Sequence, residues 1–246
     1  MATATPITLY FTTKPSGANY PNPTIIPGSG DVKVLNFALA LELLESTLYN
    51  QAFARLGNGT DLKGQPIVDA KGVTITGLNV GASDPIYKYV KEFGIVEQEH
   101  ASFLLSALGG DPYPANVGFA FGMNDLTSST AVGKLIYTAE LTGVGAYLGA
   151  IPSFVPKSPY LQIAASIQGT EGRHTTTVAI ALNALMGNGA IETAPMYNEN
   201  HGIDIATPPD NVLYLGSTGI PGAAVVPGGS ALPGVSGLNG FVFLVS

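Results

Sequence analysis

Glu97-Gln98-Glu99-His100 and Glu171-Gly172-Arg173-His174 are the stretches that decide how this chain is read. The sequence holds 3 histidines, and these two Glu-x-x-His pairs use two of them. On a helix, residues i and i+3 share a face, so each pair aims a carboxylate and an imidazole at one spot. Two such helices, joined by one Glu from each of two more, supply the inward-facing ligands of a dimetal-carboxylate bundle. Glu42 and Glu140 are the candidates for the remaining two positions.

Helical patterns surround all six residues. From Asp31, read as an N-cap, the spacing of Leu35, Ala38, Glu42, Glu45, Tyr49 and Ala52 predicts a helix to about Leu56, stopped by Gly57. A polar, Gly-rich linker follows over 57–83, longer than bundle loops usually are. Asp84 as N-cap and Pro85 at the first helical position open a second helix, which ends at Gly109-Gly110. Its seam runs Ile86, Val90, Phe93, Glu97, His100, Leu104, Ala107. A third helix is predicted from about Ser129 to Ile151, stopped by Pro152, with Ile136, Glu140, Gly143 and Tyr147 on its seam. Ser158-Pro159 opens a fourth, ending near Gly187, whose seam is Tyr160, Ala164, Ile167, Glu171, His174, Val178, Ala181, Leu185. A sustained 3.5-residue period on four helices predicts an all-α four-helix bundle. The short connection at 152–158 makes the last two helices antiparallel neighbours.

The chain carries a half-motif twice. Glu42 is followed by Tyr49 and then by Glu97-x-x-His100; Glu140 is followed by Tyr147 and then by Glu171-x-x-His174. A bundle with pseudo-twofold symmetry would bring Glu42, Glu97, His100, Glu140, Glu171 and His174 to one level of the core. Four ionised carboxylates in an apolar seam are strongly destabilising unless compensated, and two divalent cations would neutralise them. Mixed carboxylate and imidazole donors suit two iron or two manganese ions, and zinc less specifically. Tyr49 and Tyr147 read as core residues with bonded hydroxyls rather than redox groups. Glu45 stands in the seam where the third helix has Gly143, and three roles stay open for it: extra ligand, proton relay or solvent-facing carboxylate. Glu99 and Arg173 fall off the seam, on a solvated or ion-paired face, and His201 reads as a loop histidine.

Composition narrows the remaining classes. Only 11% of residues are charged against 46% hydrophobic, so much of the surface is expected to be covered or to face something other than water. The net charge of −7, with few and scattered basic residues, leaves nucleic-acid binding no electrostatic basis. With 0 cysteines there are no disulfides, thiolate ligands or Cys nucleophiles. No stretch reads as a transmembrane helix of about 20 apolar residues, and the N-terminus lacks the basic region of a signal peptide. Residues 1–30 read as an extended arm, with a short strand at Ile7-Thr8-Leu9-Tyr10-Phe11-Thr12. The bundle spans 31–187. Residues 188–246 form a Gly/Pro-rich tail with no charge after Asp210, which can add short strands, Phe241-Val242-Phe243-Leu244-Val245 among them. So apolar a tail is expected to pack on the bundle or on another subunit, making a homo-oligomer.

The residues that build these motifs resemble the ferritin-like superfamily, and within it the group that includes desiccation-related proteins. The carriers are Leu41-Glu42-Leu43-Leu44-Glu45 with Tyr49, Glu97-Gln98-Glu99-His100, Glu140 with Gly145-Ala146-Tyr147, and Glu171-Gly172-Arg173-His174; the loop at 111–121 is similar too. The resemblance covers about 31–187 and implies a ferritin-like four-helix bundle with a diiron or dimanganese centre. Such centres act on oxygen or peroxide, or store iron. The low charge and apolar tail depart from a storage ferritin. The rival expectation is a structural or stress-related protein that assembles through its arm and tail, with the bundle as scaffold.

Overall fold

The computed structural model describes residues 29–69, 72–109, 117–118, 121–189, 191, 193 and 244–245. The strand expected at 7–12, His201, the loop residues 111–116 and nearly all of the apolar tail lie outside them. Four long helices make up the described core: α1 Asp31–Leu56, α2 Tyr87–Leu108, α3 Ser129–Ala150 and α4 Leu161–Met186. All are within a few residues of the bounds expected from caps and seams.

The local signals act in slightly different ways from their sequence readings. Asp31 is not the N-cap of α1: Gly30 holds that position, and the Asp31 carboxylate accepts from Val155 N at 2.9 Å, tying the start of α1 to the loop after α3. Asp84 is two residues ahead of the N-cap of α2, Ile86, but its carboxylate does accept from Ile86 N and Tyr87 N at 2.9 Å each. Ser128 caps α3 by accepting from Ala131 N at 3.2 Å. Gly187 ends α4 in the left-handed conformation, φ 65°. Gly57 also ends its helix, but its φ of −84° is open to any residue. What requires glycine there is space, because a Cβ would sit 2.7 Å from Tyr87 Oη and 2.9 Å from Phe53 O.

These contacts set the topology. Tyr87 beside Gly57 makes α1 and α2 an antiparallel hairpin, and the short turn at Ile151–Ser153 does the same for α3 and α4. Ser129, which opens α3, donates to Asp84 at the opening of α2, 2.7 Å away. The two helices therefore run parallel, and the chain between them must travel back along the 22 residues of α2, about 33 Å. The long linker earns its length by folding over α1. Arg55, buried at the end of α1, donates to the carbonyls of Leu126 (2.9 Å) and Thr76, so one guanidinium anchors both long connections. Gln51 donates to Val68 O at 3.0 Å and accepts from Phe121 N at 2.8 Å.

Leu39, Leu48, Ile136, Leu182 and their neighbours fill the core between the hairpins. Each such fully buried aliphatic side chain contributes about 1.5–3 kcal/mol of transfer free energy. No described helix is long and apolar enough to cross a membrane. Outside the bundle, Leu244 and Val245 pair antiparallel with Gly118 and Val117, the one part of the expected terminal strand within the described residues.

Candidate metal centre

Halfway along the bundle the apolar packing is interrupted by carboxylates. Glu42, Glu97, Glu140 and Glu171 are each 0% exposed, one from each helix. The two histidines face them through Nδ1. His100 Nδ1 lies 2.8 Å from Glu97 Oε2, 3.2 Å from Glu42 Oε2 and 3.7 Å from Glu171 Oε1. His174 Nδ1 lies 2.7 Å from Glu97 Oε1 and 3.3 Å from Glu140 Oε1. All six residues singled out from the sequence thus converge, with Glu97 between the two imidazoles.

Glu45 joins them. It is 2% exposed, which removes the solvent-facing reading. Three sets of donor atoms each lie within 4.8 Å of one another: Glu42, Glu97, His100 and Glu171; Glu97, Glu140 and His174; and Glu45, Glu140 and Glu171. Glu99 and Arg173, expected off the seam, are exposed, and Arg173 donates to Thr170 Oγ1 at 3.2 Å.

The tyrosines exchange partners between the halves. Tyr49 of α1 donates to Glu140 of α3, and Tyr147 of α3 donates to Glu42 of α1. The Glu-x6-Tyr spacing puts each pair on one face of its own helix, but antiparallel packing of α1 on α3 delivers each hydroxyl to the opposite carboxylate. Phe93 has a role the sequence did not signal. Its ring stacks on His174 with centroids 3.8 Å apart and planes 19° from parallel, fixing the imidazole from the side.

Protons hold this cluster together when nothing else does. Burial pushes Glu42 up to about 7, against hydrogen bonds from His100 and Tyr147 that favour its charged form. Glu45 and Glu171 are pushed well above the usual carboxylate range, first by burial and then by neighbouring carboxylates. Burial also works against charge on Glu97, but the two histidines beside it outweigh that and bring Glu97 down to about 2. Burial disfavours the imidazolium forms too, yet the surrounding carboxylates raise His100 to about 10 and His174 to about 9.

Protons do not satisfy the cluster fully. Glu97 Oε1, Glu140 Oε2, both oxygens of Glu171 and His174 Nδ1 are buried without a well-directed hydrogen bond. Buried polar atoms are normally paired, so the carboxylate oxygens left without hydrogen bonds here suit a central positive ion. Their chemistry, carboxylate oxygen with imidazole nitrogen and no sulfur, fits iron or manganese.

The description of the family model that matches residues 30–184 is a ferritin-like domain. The chain belongs to the ferritin-like family. The match spans the four helices of this ferritin-like protein and stops at the end of α4, so the carboxylate/histidine cluster lies wholly within it. No curated protein and no solved structure matches the chain.

Proposed function

We propose that this ferritin-like bundle holds two metal ions, iron or manganese, and uses them in redox chemistry on a small oxidant, oxygen or peroxide. The observation that carries the reading is the convergence of buried carboxylates, several of their oxygens without a hydrogen bond, around two imidazoles in a core otherwise built from aliphatic and aromatic side chains. Glu42, Glu97, His100 and Glu171 would hold one ion, and Glu97, Glu140 and His174 the other, with Glu97 common to both. Bound there, the metals would supply electrons and an open coordination position for the oxidant.

The protein residues have definable tasks. Tyr49 and Tyr147 each fix one oxygen of a carboxylate by donating to it, which leaves the second oxygen to bind. Phe93 holds the His174 ring in place. A small, mostly apolar pocket lined by Leu35, Phe103, Leu104, Phe154 and Ile163 also touches Tyr147. Similarity of the motifs to the desiccation-related group supports a protective role under stress.

Elemental mass spectrometry of the purified protein tests the reading. About two iron or manganese ions per chain, with peroxide- or oxygen-dependent turnover abolished by Glu171→Ala, is the expected result. Folded protein without metal affinity would overturn it in favour of a scaffold that assembles through its apolar arm and tail.

A further inference from the structure

The two halves of the site are not equivalent. Reading from each first-half carboxylate, Glu42-x-x-Glu45-x-x-x-Tyr49 faces Glu140-x-x-Gly143-x-x-x-Tyr147. Glu45 and Gly143 occupy matching positions, and the structure puts them against each other. A Cβ built on Gly143 would lie 3.1 Å from Glu45 Oε1 and 2.7 Å from Glu171 Oε2. Gly143 sits within α3, with no left-handed φ to require a glycine. A mid-helix glycine costs stability relative to alanine. Its use here is explained by the space it leaves, which Glu45 and Glu171 occupy.

Glu45 shares that space with Glu140 and Glu171, their oxygens within 4.8 Å. Three carboxylates so close repel one another unless protonated or bridged by a cation. Both oxygens of Glu171 and Oε2 of Glu140 are buried and lack hydrogen-bond partners, so the group is aimed at something it does not itself contain. Glu45 reaches the Glu97–Glu140–His174 set through Glu140 and the Glu42–Glu97–His100–Glu171 set through Glu171; the first has three donors and the second four, so the first is the one short of a ligand.

We infer that Glu45 is a seventh ligand of the centre, completing the coordination of the ion held by Glu140 and His174, and that Gly143 is the residue that admits it. This rests on the two-metal reading above. With Glu45 the ligand set contains five carboxylates, one more negative charge than two divalent ions neutralise. Each metal position then draws on three carboxylates and one imidazole, Glu97 counted in both, so Glu45 evens a donor count that the other six residues leave at four and three.

The test uses full-length protein stripped of metal by chelation and titrated with manganese(II), followed by calorimetry and by electron paramagnetic resonance. Wild type should take up about two ions per chain. Glu45→Gln should keep one ion at wild-type affinity and weaken the other about ten- to hundredfold. Glu45→Asp, which keeps the charge but withdraws it by one methylene, should weaken the same ion less. The metal-free Glu45→Gln protein should melt no lower than metal-free wild type, because it has lost a crowded carboxylate. Unchanged binding of both ions by Glu45→Gln would overturn the assignment while leaving the two-metal reading intact. So would equal weakening of both ions with a lower melting temperature of the metal-free variant, the result of a purely structural role. Failure of the wild type to bind manganese or iron would overturn the two-metal reading itself.

Discussion

Metal loading should expel protons, and the structure sets how many. A metal ligand must be deprotonated at the atom it offers. With His100 raised to about 10 and His174 to about 9, both imidazoles carry a proton on the bundle interior at pH 7. Those two sites alone release about two protons per chain when the ligand set is filled. Glu42, at about 7, adds about half a proton, and Glu45 and Glu171, both pushed well above the carboxylate range, add more. The overall affinity for the metal pair should therefore rise by more than about a hundredfold per pH unit between pH 6 and 8, and level off near pH 10. Calorimetric titration with manganese(II) in two buffers of different ionisation enthalpy measures the release directly.

The same shifts fix how stability of the metal-free protein varies with pH. His100 and His174 are raised above their unfolded value of 6.5, so their contribution is complete below that pH and is lost as pH rises through about 9 and 10. Glu42 is raised from 4.5 to about 7, so its contribution is complete below 4.5 and lost on the way up through 7. Glu97 is depressed to about 2 and works oppositely, contributing above 4.5 and losing that contribution as pH falls toward 2. Metal-free protein should thus lose melting temperature from about pH 5 to 10 while metal-loaded protein gains on it. Release of less than one proton at pH 7, or a gap between loaded and metal-free melting temperatures that ignores pH, would refute the reasoning.

Three further outcomes follow from individual contacts. Tyr147→Phe removes the hydroxyl that donates to Glu42, which favours that carboxylate's charged form; metal affinity should fall more at pH 6 than at pH 9, and stability by about 1 kcal/mol, read by titration and denaturant melts. Gly143→Ala places a methyl 2.7 Å from Glu171 Oε2 and should destabilise the fold by about 1–3 kcal/mol while weakening metal binding, seen in the same two assays. Arg55→Met strips donors from the carbonyls of Leu126 and Thr76, at about 1–3 kcal/mol for each carbonyl left unsatisfied, and should speed proteolysis in the linker and crossover before the helices.

Much of the fold was legible because each helix is bounded by residues with one physical reading. Asp84-Pro85, Ser158-Pro159 and Gly187 are start and stop signals, and the seam positions of α1 from Leu35 to Ala52 are all buried. Asp31 misled because a carboxylate just before an apolar run satisfies the N-cap pattern equally well when it is the first helical residue bonding elsewhere. The convergence of the six expected side chains was readable from spacing alone. Glu45 was not: a seam position can face the core centre or its edge, and only Gly143 across the interface decides it. The exchange of tyrosines between halves depends on the vertical offset of α1 against α3, which no within-helix spacing encodes.

That exchange has a consequence for the order of events in folding. The α1–α2 hairpin alone contains Glu42, Glu97 and His100, and the α3–α4 hairpin Glu140, Glu171 and His174. Neither hairpin can seat its own tyrosine, because the carboxylate each hydroxyl requires is carried by the other. On the two-metal reading, a half-folded chain would present loose chelating arms that hold a cation weakly. Tight capture would then wait until the hairpins dock, so a chain that had trapped its ions securely would be one that had finished assembling.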